Sequence, residues 1–548
     1  MRNRESHFAV NPTSIDMPRS IFDLSHKHAT TFNAGELAPI YLEEVLPGDT
    51  FNVNTSLVAR MSTPIHPVMD NCYLDVYYFF VPNRLVWNHW PEFMGENRTT
   101  KWEQETEYEV PQITSPSGGF NKGTIAEGLG IPIGISNLSV SVLPIRSYVL
   151  IYNEWFRDQN LQDPAYLSLD DSTTAGSNGS TYQTDAQKGG KYLPVNKFHD
   201  YFTSALPEPQ KGPDVLLPLG DKAPVIGNGT TLGLTNGTSN FGLTVSSNEP
   251  LLSSSNAYGT NIGNTTTSGI NKATKSLGIT TDPTKSGIVA DLSTATAATI
   301  NNLRQAIAIQ HLFEKDARGG SRYIEIIKSH FGVTSPDGRH QRPEYLGGKR
   351  IPITMNQVLQ TSSTDSTSPQ GNTAAYSLTN DKSDSFTKSF TEHGHIIGVA
   401  CVRTDHTYQQ GIERLWNRKR RFDYYWPELA NIGEQAILNK EIYAQGTAAD
   451  DEVFGYQEPW AEYRYKANRV SGAFRSTYAQ PLDNWHYGDK FSSQPILGAT
   501  WLKETTANID RTLAVQSSVE DQFLIDFWFD VKATRPLPMY GVPGLRYM

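Results

Sequence analysis

The sequence predicts a mainly β protein: one β-sandwich, for which a jelly roll is a fitting form, elaborated by long insertions that hold short helices. Hydrophobic residues make up 38% and charged residues 19% of the chain, and Gly, Pro, Ser, Thr and Asn fill the deficit, the profile of a loop-rich β protein. Strand-length apolar runs recur along the whole length, so the three or four domains that 548 residues suggest give way to one sandwich with insertions. No run approaches the roughly 18 apolar residues of a membrane span; the longest, Val76–Val81 and Ile396–Val402, are strand-sized.

Taken in order, the first twenty-five residues carry Arg2, Arg4, Glu5, Asp16, Arg19 and Asp23 without an apolar stretch, so neither secretory signal nor anchor is expected and folding should be cytosolic. Residues 49–61 alternate, with Phe51, Val53, Leu57, Ala59 and Met61 on one parity, which predicts a half-buried strand. Asn71–Val81 (NCYLDVYYFFV) is a dense aromatic and β-branched run closed by Pro82, and reads as a strand at a sheet centre. Pro144–Asn160 starts with proline at a first-turn position and spaces Tyr148, Ile151, Tyr152 and Trp155 for a helix.

From Ile226 to Ile300, Ser, Thr, Asn and Gly supply 44 of 75 residues, with three lysines and no arginine, so little there can form a core of its own. The pairs Leu232 with Leu234 and Phe241 with Leu243 keep strand periodicity, and an exposed β-rich insertion, placed at 213–298, is preferred to disorder. Thr299–Arg318 has a helical apolar period stopped by Gly319 and Gly320, and a second helix is expected at 321–331. The polar stretch from Thr361 to Asp384, extended to 361–390, reads as a surface loop before the strand Ile396–Val402. Prolines at 536, 538 and 543 make 535–548 an extended tail.

The search for chemistry returns little. Cys72 and Cys401 lie in apolar runs and read as buried free thiols. Gly128-Leu-Gly130 lacks the third glycine of a dinucleotide turn, and Lys188–Lys191 lacks a P-loop frame. The pairs His26 with His28 and His393 with His395 lack further ligands at metal spacing. The acidic pairs at 43–44, 170–171 and 450–451 read as solvated charge. No catalytic residue, cofactor or metal is expected.

A net charge of -10 argues against a surface that grips nucleic acid everywhere, so any such contact must be local. The candidate is Arg414–Trp426 (RLWNRKRRFDYYW), where Arg418, Lys419, Arg420 and Arg421 lie between Trp416 and the run holding Phe422, Tyr424, Tyr425 and Trp426. Cations neutralise phosphates while ring faces stack on unpaired bases. An equally weighted alternative pairs these arginines with acids across a subunit interface and buries the rings. Arg464, Lys466 and Arg469 near Tyr463 and Tyr465 form a weaker second candidate.

Longer phrases carry a resemblance. Ile21–Phe51, Lys197–Gly212, Ala317–Gly348, Arg421–Ala436, Phe454–Arg475 and the proline-rich terminus together resemble the gokushovirus branch of the microvirus major capsid proteins. His340, where an aliphatic residue is expected, is a small departure. The resemblance implies an eight-stranded antiparallel jelly roll of viral capsid type and an icosahedral homo-oligomer around circular single-stranded DNA. It also implies that the insertion protrudes near a three-fold axis, where host attachment to a cell-surface receptor is expected. Implied partners are a small basic DNA-binding protein, a minor pilot protein and an internal scaffolding protein, with assembly in the bacterial cytoplasm. The rival from another class is a carbohydrate-active or lectin-like β protein, suggested only by Trp and Tyr in polar loops.

Overall fold

The computed structural model describes residues 18–97, 107–216, 300–362, 364–366, 369–382 and 385–540, with five short strand segments between 225 and 290. Two compact units emerge, residues 1–211 with 314–548, and residues 212–313.

Among the described residues the first unit has three smaller sheets and is built on two large antiparallel ones. In one, Phe523–Arg535 is central: Thr50–Met61 pairs along one side, and Ser20–Asp23 then His26–Phe32 along the other. Thr379–Lys382 and Phe386–Ser389 add to the far edge of the 50–61 strand. The other sheet runs Glu344–Pro352, Cys72–Pro82, Gly394–Thr404, Glu36–Val45, with Leu193–Pro194 at its edge.

Side-chain alternation explains how they meet. Along 523–535, Phe523, Ile525, Phe527, Phe529, Val531 and Ala533 are buried while Leu524 and Trp528 face outward. The 50–61 strand alternates in register, Leu57 opposite Phe527 and Val53 opposite Val531. These inward faces share one core with the second sheet: Tyr41 meets Phe529 at 5.0 Å and Phe80 meets Phe390 at 4.5 Å between ring centroids. Inside it the hydroxyls of Thr55 and Tyr78 bond each other at 2.5 Å. The 72–82 and 394–404 strands are buried on both faces, as expected of sheet centres.

A buried charge sits in that second sheet. Asp75 is opposite Arg350 in register, accepts from its Nε at 2.8 Å, and accepts from Arg403 Nε at 3.2 Å. Both guanidinium groups lie over Phe198, at 4.1 and 4.3 Å. Beyond the 394–404 strand, His406 is buried between Asp489 (2.8 Å from Nδ1) and Glu504 (2.9 Å from Nε2), tying the 483–513 stretch to the sheet. These two carboxylates, acting against the cost of burial, raise the His406 pKa to about 10.

The expected helix from Pro144 is Leu143–Ile151, continued by a π-helical turn over Tyr152–Phe156. Tyr148 anchors it by donating to the Leu37 carbonyl at 2.6 Å. The two later helices are Ile300–Gly319 and Tyr323–Phe331, the first followed by Gly320 at φ +95°. Cys72 and Cys401 are buried and free.

The stretch 361–390 departs from expectation. It is not a plain loop: Thr373–Ser377 pairs with Met355–Leu359, and Thr379–Lys382 and Phe386–Ser389 extend the first sheet. Ala375, Ser377, Thr379 and Phe386 are buried, so a few inward side chains among Thr and Ser suffice for edge strands.

In the second unit, Val225–Gly227 pairs with Ile288–Ala290, and Leu232–Thr235 lies between Asn240–Leu243 and Gly278–Ile279. Leu232 is opposite Leu243 and Leu234 opposite Phe241, the residues whose spacing predicts strands. The rest of 226–299, and 541–548 of the expected tail, lie outside the described residues.

Candidate nucleic-acid interface

The basic-aromatic segment folds as three short turns, Arg414–Asn417, Arg421–Asp423 and Pro427–Leu429. Asp423 shapes the middle one by accepting from the backbone N–H groups of Lys419 (2.8 Å) and Arg420 (2.7 Å), and those bonds lower its pKa. Trp426 donates from Nε1 to the Arg421 carbonyl at 3.1 Å, and the Arg421 guanidinium lies 4.6 Å from the Trp426 ring.

The four cations divide. Arg418 turns inward, donating to Glu462 at 3.1 Å and lying over the Tyr463 ring at 4.5 Å. Lys419, Arg420 and Arg421 are exposed, and among the described residues none has a carboxylate within 4.0 Å. Trp416, Phe422, Tyr424 and Tyr425 are exposed as well, Trp416 at 72%. The rings therefore do not fill this chain's core, and Arg418 pairs with an acid of its own chain.

The weaker candidate is mostly paired: Lys466 and Arg469 clasp Glu413, and Arg464 meets Glu458 at 2.7 Å. Trp416 and Arg418 of the first set and Tyr463, Tyr465, Lys466 and Arg469 of the second line a cavity of about 430 Å³, together with Arg414, Glu441 and Glu462. Glu441, its pKa raised by burial, accepts from Tyr201 at 3.2 Å and Arg414 at 3.3 Å. These carboxylates are absent from the sequence-based site; Glu462 stands 44 residues from Arg418, and no local spacing connects them.

A family model described as "Capsid protein (F protein)" matches residues 11–545. The chain belongs to this capsid protein family. The capsid protein is 44% identical over 559 residues to capsid protein VP1 of Bdellovibrio phage phiMH2K, covering 99% of this chain and 98% of the relative. It is 44% identical over 541 residues to capsid protein VP1 of Spiroplasma virus 4, covering 97% and 96%. Capsid protein VP1 of Chlamydia phage 1 is 40% identical over 599 residues, covering 100% and 98%. The resemblance to microvirus capsid proteins thus holds over the full chain, and the role is structural: a component of the phage virion. Among the described residues no helix is long and apolar enough to cross a membrane.

Proposed function

We propose that copies of this capsid protein assemble into a small icosahedral shell that encloses a circular single-stranded DNA genome, with the exposed cations and rings of 416–425 touching that strand. The observation that carries the DNA contact is the set Lys419, Arg420 and Arg421, lacking carboxylate partners among the described residues and flanked by exposed rings in a chain of net charge -10. An acidic shell protein neutralises only part of a genome, so a small basic DNA-binding protein belongs inside, beside scaffolding and pilot proteins.

The pairing order supports a jelly roll. Taking 20–32 and 379–389 each as one interrupted strand, eight strands fall into two sets of four, and every connection except that from 72–82 to 344–352 passes between sheets. The 213–298 insertion, poor in core residues and in cations, is the surface protrusion used in host attachment, and 535–548 is a tail laid on a neighbour.

The test is electron microscopy with sedimentation of purified protein under assembly conditions. Uniform shells are expected; a chain that stays a small oligomer at every concentration refutes the reading. Shortening 226–300 should leave shells intact and reduce attachment to host cells, because loop length carries little entropic cost; loss of shells would move the insertion into an assembly contact.

A further inference from the structure

The cavity beside the basic segment has the size and lining of a ligand site. Its volume of about 430 Å³ falls in the roughly 300–1,000 Å³ range of small-molecule pockets. Five cationic side chains line it against three carboxylates. Trp416 borders it, largely exposed and with no ring partner among the described residues.

The lining holds polar atoms with capacity to spare. Glu462 engages both Arg418 (3.1 Å) and Arg414 (3.8 Å) through Oε1, and among the described residues its Oε2 has no hydrogen-bond partner. Arg418 Nε is buried without a partner. An apolar side chain from a neighbouring copy would cover these atoms without satisfying them, which is unfavourable.

We propose that this cavity receives one unstacked nucleobase of a single-stranded nucleic acid and prefers bases that carry an exocyclic amine. The inference rests on the genome-contact reading of the neighbouring segment and adds a base preference to it. Trp416 supplies the stacking face, and Lys466 and Arg469 at Glu413 stand by the phosphate. The Glu462 carboxylate accepts from the amine of cytosine or adenine, a donor that thymine lacks. Stacking alone tolerates every base, so the preference comes from this acceptor.

Calorimetric titration of the unassembled full-length chain with dCMP, dAMP and dTMP tests this. dCMP and dAMP should bind roughly tenfold more tightly than dTMP; Glu462→Leu, which removes the acceptor, should erase the difference, and Trp416→Ala should weaken all three by roughly tenfold. If Glu462→Leu does not fold, the three-nucleotide comparison and the exposed Trp416→Ala variant decide alone. Equal affinities, no binding, a preference that survives Glu462→Leu, or a particle map with a neighbouring copy seated in the cavity each overturn the proposal. If Lys419, Arg420 and Arg421 changed to Gln still package a full genome while the nucleotide preference persists, the genome-contact reading fails and the cavity stands. If packaging falls but no mononucleotide binds, the cavity inference alone fails.

Discussion

Arg350 and Arg403 converge on the buried carboxylate of Asp75 with Phe198 against both guanidinium groups, whereas the side chains of Lys419, Arg420 and Arg421 stand among exposed rings with no carboxylate within 4.0 Å among the described residues. Both regions combine cations with aromatic side chains. What separates them is whether an anion is supplied within the chain. In the sheet, strand register delivers Asp75 to Arg350 and the cluster becomes part of the fold. In the turns of 414–426 Glu462 pairs with Arg418, while among the described residues the other three side chains form no ion pair and remain for an external anion.

The largest effect should come from removing the anion in the sheet. Asp75→Asn leaves the largely buried Arg403 without its counter-charge, which should destabilise the subunit by about 3–5 kcal/mol. Urea unfolding of the unassembled chain measures it, and a change below about 1 kcal/mol would mean that solvent already screens this cluster.

His406 offers an intermediate case, a buried cation with two carboxylates of its own. Its folded pKa, raised to about 10, stands above an unfolded value of about 6.5. The stabilisation it gives is therefore complete below the unfolded value and is lost as pH rises through the folded one. The stability gap between the native chain and His406→Gln should be widest near pH 6.5 and narrow as pH rises toward about 10. Unfolding midpoints across that range check this, and a gap that widens with pH would reverse the assignment.

Arg418 tests where the boundary between the two kinds of cluster falls. Because it is the inward member, Arg418→Gln should cost about 1–3 kcal/mol by leaving Glu462 without its donor. A thermal shift on the unassembled chain reads this directly.

Much of the framework is legible in the residues. Alternation marks 50–61, unbroken apolar runs mark 72–82 and 394–404, and glycines mark the end of the 300–319 helix, because each signal is local. Phe523–Arg535 alternates just as clearly, yet it is the central strand missing from the expectations. The edge strands at 379–389 are harder to read, since Thr, Asn, Asp and Lys dominate and only Thr379 and Phe386 face inward. What local pattern cannot supply is partnership at a distance. Asp75 and Arg350 lie 275 residues apart, and the division between Arg418 and the three cations after it depends on a glutamate 44 residues downstream.

That division yields the smallest effect on stability and the sharpest on function. Lys419, Arg420 and Arg421 are exposed, so changing all three to Gln should change the unfolding free energy of the subunit by no more than about 0.5 kcal/mol. Shells should form in normal number and size, because nothing in the sandwich core involves these side chains. The DNA recovered per particle should fall, and its retention should become less sensitive to salt, since each lost cation removes one phosphate contact and its counterion release. Including Arg418 in the substitution would confuse the result, because the loss of the Glu462 pair would lower stability for a reason unrelated to the genome. Shells that fail to close while subunits stay folded and equally stable would show that these cations meet acids on a neighbouring subunit, and the two clusters would then differ only in which chain provides the anion.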